Sequence, residues 1–207
     1  MVRTPLRLAV LGDSLAFGTG AARPSDALGP RLVRALTDDG FDVDLHVLAV
    51  PGAVSAGLAD QVRRALPLSA GLAVVVVGAN DLARFVPVEQ AAAALTAAVT
   101  ALRAGGTDVV VVPAPDMSMV PFVPPALRAL VRGACALLQQ RQAHVATTGG
   151  ATVAPVADEV ARAFVADPAL FSADRFHPSS AGYARIAEVL TPYVLTAART
   201  RRDDAAA

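Results

Sequence analysis

The sequence predicts an α/β domain, a five-stranded parallel sheet with helices on both faces in the manner of a flavodoxin-like three-layer sandwich. Three observations carry that prediction. Short β-like runs alternate with longer helix-like stretches along the whole chain. Residues 74–77 and 109–112 are unbroken valine blocks with no polar alternation, the pattern of strands buried on both faces. With 207 residues, 54% hydrophobic and 17% charged, the chain is long and apolar enough for one domain with a substantial core.

Each element has its local reason. Strands are expected over 7–11, 43–50, 73–77, 109–112 and 151–156, where β-branched and other apolar residues cluster. A helix over 29–39 stops at Gly40, and one over 55–66 stops at Pro67. The stretch 87–104 opens on Pro87 and ends in Gly105-Gly106, the usual asymmetry of helix ends. A long helix over 125–147 runs to Gly149-Gly150, and a last one over 178–199 opens on Pro178. No repeat or linker interrupts this order, so residues 1–199 read as a single domain and 200–207 as a disordered, frayed tail.

Composition narrows the function. The 18 basic residues, all arginine, balance 18 acidic ones, which argues against nucleic acid as the main partner. A single cysteine, Cys135, provides neither a disulfide framework nor a cysteine-based zinc site. The three histidines, His46, His144 and His177, are far apart in sequence, so no metal site is expected either. No apolar run approaches the ~18–20 residues that span a bilayer, and a first strand beginning by about Leu6 leaves no room for a secretory leader; the expectation is a cytoplasmic protein.

In an open parallel sheet, ligands bind outside the carboxyl ends of the strands. The residues just after the expected strands are therefore informative. They are Gly12-Asp13-Ser14-Leu15, Pro51-Gly52-Ala53 and Gly78-Ala79-Asn80-Asp81, with Asp174-Arg175-Phe176-His177-Pro178 just before the last helix. Taken as a set in this order, these blocks resemble those of the SGNH hydrolases, the GDSL esterase/lipase family: Gly-Asp-Ser-Leu at 12–15, Gly52, Gly-x-Asn-Asp at 78–81 and Asp-x-x-His-Pro at 174–178. One block lies near each end, so the resemblance spans almost the whole chain.

The resemblance and the chemistry imply the same roles. Acyl transfer needs a nucleophile, a base with an orienting partner, and donors for the oxyanion. Ser14 is the candidate nucleophile, His177 the general base and Asp174 its orienting carboxylate. The oxyanion donors would be the N–H of Ser14, the N–H of Gly52 and the side-chain amide of Asn80. Glycine allows close backbone approach, and an amide is a neutral donor. The implied substrate is a small or medium acyl ester or thioester, cleaved through an acyl-Ser14 intermediate with no cofactor.

Each block also has a plainer reading. Asp13-Ser14 can be a helix cap, Asn80-Asp81 and Pro51-Gly52 turns, and His177 a surface residue. Two rival functions stand beside hydrolysis: an acyltransferase using the same acyl-Ser14, and a non-catalytic or flavin-binding flavodoxin-like module. The α/β-hydrolase elbow Gly-x-Ser-x-Gly is absent, since Ala16 follows Ser14 by two, and a P-loop is excluded because it needs lysine. Gly18-Thr19-Gly20 starts like a dinucleotide fingerprint but has Arg23 at the third glycine position. Phe85, Val86, Met117, Met119 and Phe122, in loops after the third and fourth strands, are candidates for an acyl pocket. Arg84 and Arg175 flank the motifs and are candidates for an anionic group on the substrate. Cys135, His46 and His144 are expected to be non-catalytic.

Overall fold

The computed structural model describes residues 3–206. Five parallel strands, β1 (Thr4–Gly12), β2 (Phe41–Val47), β3 (Leu72–Val76), β4 (Asp108–Val112) and β5 (Thr152–Val153), form one sheet in the order β2-β1-β3-β4-β5. The helices are α1 (Ser14–Phe17), α2 (Leu28–Asp38), α3 (Leu58–Ala65), α4 (Ala79–Ala83), α5 (Val88–Ala104), α6 (Arg128–Thr148), α7 (Ala157–Ala166) and α8 (Ser180–Ala206). Chain order reverses at β1 and β3, and there the carboxyl ends of neighbouring strands open a crevice.

The valine blocks explain the three layers. Along each strand alternate residues face opposite sides. Leu6, Leu8, Val10, Val74, Val76, Val110 and Val112 pack against α2, α7 and α8 through Leu32, Leu36, Phe164, Ile186 and Leu190. Ala9, Leu11, Val75, Val77, Val109 and Val111 pack the other way, against Leu58 and Val62 of α3, Leu95 and Val99 of α5, and Val145 of α6. No helix among the described residues is long and apolar enough to cross a membrane.

Of the boundaries that differ from expectation, three have a clear physical cause. β2 stops at Val47 rather than running to residue 50, because the N–H groups of Leu48 and Ala49 both turn to the carbonyl of Val10 and the chain leaves the sheet. β5 is only two residues long: Pro155 offers no N–H, and the N–H of Val156 folds back to Ala154 O. The third concerns the carboxyl-terminal tail. Residues 200–206, expected to be disordered, continue α8 as helix. Three arginines fasten that extension: Arg199 pairs with Asp39, Arg201 binds Asp108 Oδ2 and Gly106 O at 3.0 Å each, and Arg202 lies 5.3 Å from the Phe41 ring centroid. A further helix, α7, falls where the sequence suggested none.

Candidate active site

Ser14 is placed by the end of β1. Gly12 takes a φ of +135°, and a Cβ there would lie 1.7 Å from Val76 O, so only glycine lets the chain turn out of the sheet at this point. Gln61 of α3 binds both backbone polar groups of Gly12: the N–H donates to Oε1 at 2.7 Å and the C=O accepts from Nε2 at 2.8 Å, as well as from the Val50 N–H at 3.1 Å. Asp13 then caps the short helix α1, accepting from the N–H of Leu15 at 3.0 Å, and Ser14 is the first helical residue. The cap reading and the nucleophile position thus coexist in one turn.

The two other loops are tied together by buried polar groups. Asp81, 1% exposed, accepts from the Ser55 N–H with both carboxylate oxygens, at 3.1 and 3.0 Å, and from the Ser55 hydroxyl at 3.0 Å. This joins the loop after β3 to the loop containing Gly52. The Asn80 amide donates to Ala53 O at 3.1 Å, which fixes its plane and leaves one of its two hydrogens unengaged. Gln142 of α6 repeats the device of Gln61, donating to Val77 O at 2.9 Å and accepting from the Ala114 N–H at 2.8 Å. The N–H groups of Ser14 and Gly52 have no hydrogen-bond partner among the described residues.

His177 and Asp174 come from the segment before α8. His177 Nε2 lies 3.1 Å from Ser14 Oγ, and Nδ1 lies 2.6 Å from Asp174 Oδ2. Asp174 Oδ1 accepts three more bonds, from the Ser172 hydroxyl at 2.7 Å and from the N–H groups of Phe176 and His177 at 2.9 Å each. Gly20 allows the two segments to meet. A Cβ there would stand 2.5 Å from Pro178 O and 2.9 Å from His177 Cβ, at a φ of +94°. The Gly18-Thr19-Gly20 run therefore serves packing against the histidine segment. Tyr183, fully buried in α8, donates to Thr19 O at 2.8 Å and holds the same junction from below.

The carboxylates sit in opposite electrostatic states. Burial works against ionisation of Asp174, yet the bonds from the His177 ring, the His177 N–H, the Ser172 hydroxyl and the Phe176 N–H outweigh it and hold this carboxyl well below the ordinary range. Asp13 is pushed up to about 6, chiefly by burial, with the neighbouring Asp81 adding to the rise; the N–H groups of Leu15 and Gly78 and the charge of His177 pull against it. Burial, then the charges of Asp13 and Asp174, push the Tyr183 phenol up, so it stays a neutral donor.

An apolar cavity of about 60 Å³ adjoins these residues; its walls include Leu15, next to Ser14, Phe176 and Pro178, on either side of His177, and Met117 and Met119. Of the candidate pocket residues, the two methionines line it. Phe122 instead stacks on Phe176 with centroids 5.8 Å apart, Val86 packs beside Leu138, and Phe85 is 91% exposed. A roomier groove between α6 and α7, about 600 Å³, contains none of the four blocks. Cys135 is buried in α6, where burial pushes its thiol up; His46 pairs with Asp44 on β2, and His144 lies on the exposed side of α6. None of the three is at the site.

The structure brings together every residue singled out for the triad and the oxyanion donors. It adds four residues that sequence reasoning missed, Gln61, Ser55, Gln142 and Tyr183, and gives a role to Asp81, which in the sequence is only part of its block. Polar side chains on otherwise core-facing helix positions were the available signal for the two glutamines.

Known proteins resemble this chain in sequence and in fold. The chain is 33% identical over 189 residues to the GDSL-like esterase Rv1075c of Mycobacterium tuberculosis, covering 89% of this chain and 60% of that protein, so it spans about three fifths of the relative's length. Its fold superposes on the crystal structure of TesA with a TM-score of 0.77, 23% identity and coverage of 92% of this chain and 99% of that one. The acetylxylan esterase Axe2 of Geobacillus stearothermophilus gives a TM-score of 0.73 at 16% identity, covering 93% and 95%. The model of the GDSL-like lipase/acylhydrolase family matches residues 10–185, from the end of β1 into α8, and the chain belongs to that family.

Proposed function

We propose that the protein is a serine hydrolase that cleaves small carboxylic esters, and thioesters by the same attack, through an acyl-Ser14 intermediate. The observation that carries this reading is the hydrogen-bonded run from Ser14 Oγ through the His177 ring to Asp174, at 3.1 and 2.6 Å. His177 Nε2 takes the Ser14 proton as Oγ bonds to the acyl carbon. Asp174 accepts the Nδ1 hydrogen, which fixes the tautomer that leaves Nε2 free to act as base. The carbonyl oxygen becomes an oxyanion held by the N–H groups of Ser14 and Gly52 and the unengaged Asn80 hydrogen. Collapse breaks the bond to the leaving group, which departs with the proton from His177. Water then repeats the sequence on the acyl-serine and releases the acid.

Hydrolysis is favoured over transfer to another alcohol because the base is open to water: the side chains of His177 and Asp174 are 21% and 48% exposed. The acyl group fits the apolar cavity beside Leu15, Phe176 and Pro178. At about 60 Å³ the cavity is small, so short acyl chains are preferred. The test is hydrolysis of p-nitrophenyl acetate, butyrate, octanoate and palmitate by wild type and Ser14→Ala. The expected result is activity greatest on acetate or butyrate and reduced by at least about 10⁴-fold in the variant. Equal activity of the two proteins would remove Ser14 from the mechanism.

A further inference from the structure

Arg84 follows α4, four residues after Asn80. Its N–H bonds to Asn80 O at 3.0 Å, that of Phe85 to Leu82 O at 3.2 Å and that of Val86 to Asp81 O at 2.9 Å. The last two are the paired bonds of a Schellman ending, whose next position normally holds glycine in the left-handed conformation. Here that position is Phe85, at a φ of +53° and 91% exposed. A β-substituted aromatic side chain thus takes a strained backbone without gaining burial, a combination that marks functional segments more than structural ones. The turn sends Arg84 back over the oxyanion loop. A Cβ built on Gly52 would find Arg84 Nη2 at 3.6 Å and no other heavy atom within 4 Å beyond its chain neighbours.

The charge at this place is uncompensated. Most arginines elsewhere on the surface face carboxylates, as in Arg7–Asp44, Arg141–Glu89, Arg185–Glu159 and Arg199–Asp39. Arg84 has no carboxylate partner among the described residues, and neither has Arg175. Arg175 stands between Asp174 and His177, exposed, at a φ of +57°. The two left-handed, non-glycine turns on this edge of the sheet therefore each carry an arginine without a carboxylate partner among the described residues, one reaching Gly52 and one in the segment that holds Asp174 and His177. The third such residue, Ser69, is at the far end of β3. The acyl side of the site is, by contrast, wholly apolar in its lining.

Resting on the reading of Ser14 as nucleophile, we propose that the leaving-group side of the site binds an anion: the substrates are short acyl esters or thioesters whose alcohol or thiol part carries a phosphate or carboxylate, with Arg84 as its first contact and Arg175 as its second. A planar guanidinium matches either group through paired N–H donors.

Three acetyl esters that keep the nitro group para to the ester oxygen and differ in the charge of a ring substituent test this: 5-acetoxy-2-nitrobenzoate, p-nitrophenyl acetate and the (5-acetoxy-2-nitrophenyl)trimethylammonium salt, each normalised to its own hydroxide hydrolysis. The expected order of kcat/KM is anionic, neutral, cationic, with at least about tenfold between the ends, the scale of one charge-assisted contact at a partly exposed site. Arg84→Gln should shrink that ratio about tenfold, and Arg84→Glu should invert it. Arg3→Gln, the same charge change just before β1 at the opposite edge of the sheet, should leave it unchanged. Inorganic phosphate should inhibit wild type competitively and Arg84→Gln much less. An equal loss on all three esters in Arg84→Gln would make Arg84 a support of the oxyanion loop and overturn the proposal. Inhibition by anionic phospholipid vesicles without inhibition by phosphate would assign the arginines to a lipid surface and overturn it too. Failure of the underlying reading looks different, because Ser14→Ala would then retain activity on every ester.

Discussion

Asp174 and Asp13 lie on opposite sides of Ser14, and the same side chain is used in two ways. Asp174 belongs to a segment that largely builds itself. Its partners Ser172, Phe176 and His177 all lie within three residues of it, and its side chain is half-exposed. The oxyanion side is assembled from afar. Gly12, Gly52 and Asn80 are held by Gln61, Asp81 and Gln142 through buried hydrogen bonds that cross 26 to 65 residues of chain. On the proposed roles, the comparison teaches that the acid–base half of the site depends on proton placement and the oxyanion half on backbone placement. Substitutions in the first should therefore cost turnover, and substitutions in the second should cost stability.

The largest expected effect tests the first half. Asp174→Asn keeps an oxygen for the two backbone N–H groups but turns an NH₂ toward His177 Nδ1. The ring then takes the tautomer protonated on Nε2, the wrong one for a base facing Ser14. Turnover on p-nitrophenyl acetate should fall by roughly 10³–10⁴. The urea midpoint at pH 7.5 should shift little, because a half-exposed carboxylate contributes little to stability. A large midpoint shift with modest loss of turnover would reverse the assignment of this half.

Gln61→Leu breaks the second half. The volume and apolar setting suit leucine, but the buried N–H of Gly12 loses its partner, while its C=O keeps only the bond from the Val50 N–H at 3.1 Å. An unpaired buried group costs about 1–3 kcal/mol, so a destabilisation of about 1–3 kcal/mol is expected from urea unfolding. Folded protein at low temperature should retain measurable esterase activity, since no reacting atom is removed. Unchanged stability would show that water or a shifted backbone replaces the glutamine.

How much of this was legible beforehand follows the same division. Self-contained signals were readable: the valine blocks of β3 and β4, the glycine stop of α2, and the Asp174–His177 spacing. Signals that depend on distant partners were not. Gln61 and Gln142 are ordinary helix residues until their backbone partners, 49 and 65 positions away, are known. The end of α8 reads as a frayed tail until Arg199, Arg201 and Arg202 find Asp39, Asp108 and Phe41 across the fold. α7 left a local trace, Asp158 and Glu159 in its first turn and Val160 and Phe164 one turn apart on its buried side, but only ten residues in which to show it. Which arginines lack acidic partners also emerges only from the tertiary structure.

The smallest effect sharpens the comparison through pH. Asp13 has a folded value of about 6 against 3.8 for the free side chain, so the folded protein holds more protons than the unfolded chain between those values. Stability therefore falls as pH rises from about 4 to 6, by up to about 3 kcal/mol for a shift of this size. Asp174 works in the opposite direction and in another window. Its folded value is depressed, so its contribution, small for a half-exposed carboxylate and joined in the same window by that of Asp39 beside Arg199, is complete above 3.8 and is lost as pH falls below that. The two windows do not overlap, and unfolding free energies at pH 3, 4, 5, 6 and 8 separate them: a rise up to about pH 4, then a decline to about pH 6. Asp13→Asn should abolish the decline while leaving the acid-side rise, because asparagine retains an acceptor for the Leu15 N–H and never ionises. It also removes a negative charge that favours protonated His177, so turnover should fall, by less than about tenfold. A variant that is more stable at pH 8 and slower in turnover would mean that the buried charge under Ser14 is kept for the reaction at the expense of the fold. A flat pH–stability curve in wild type would place Asp13 in contact with water and remove that argument.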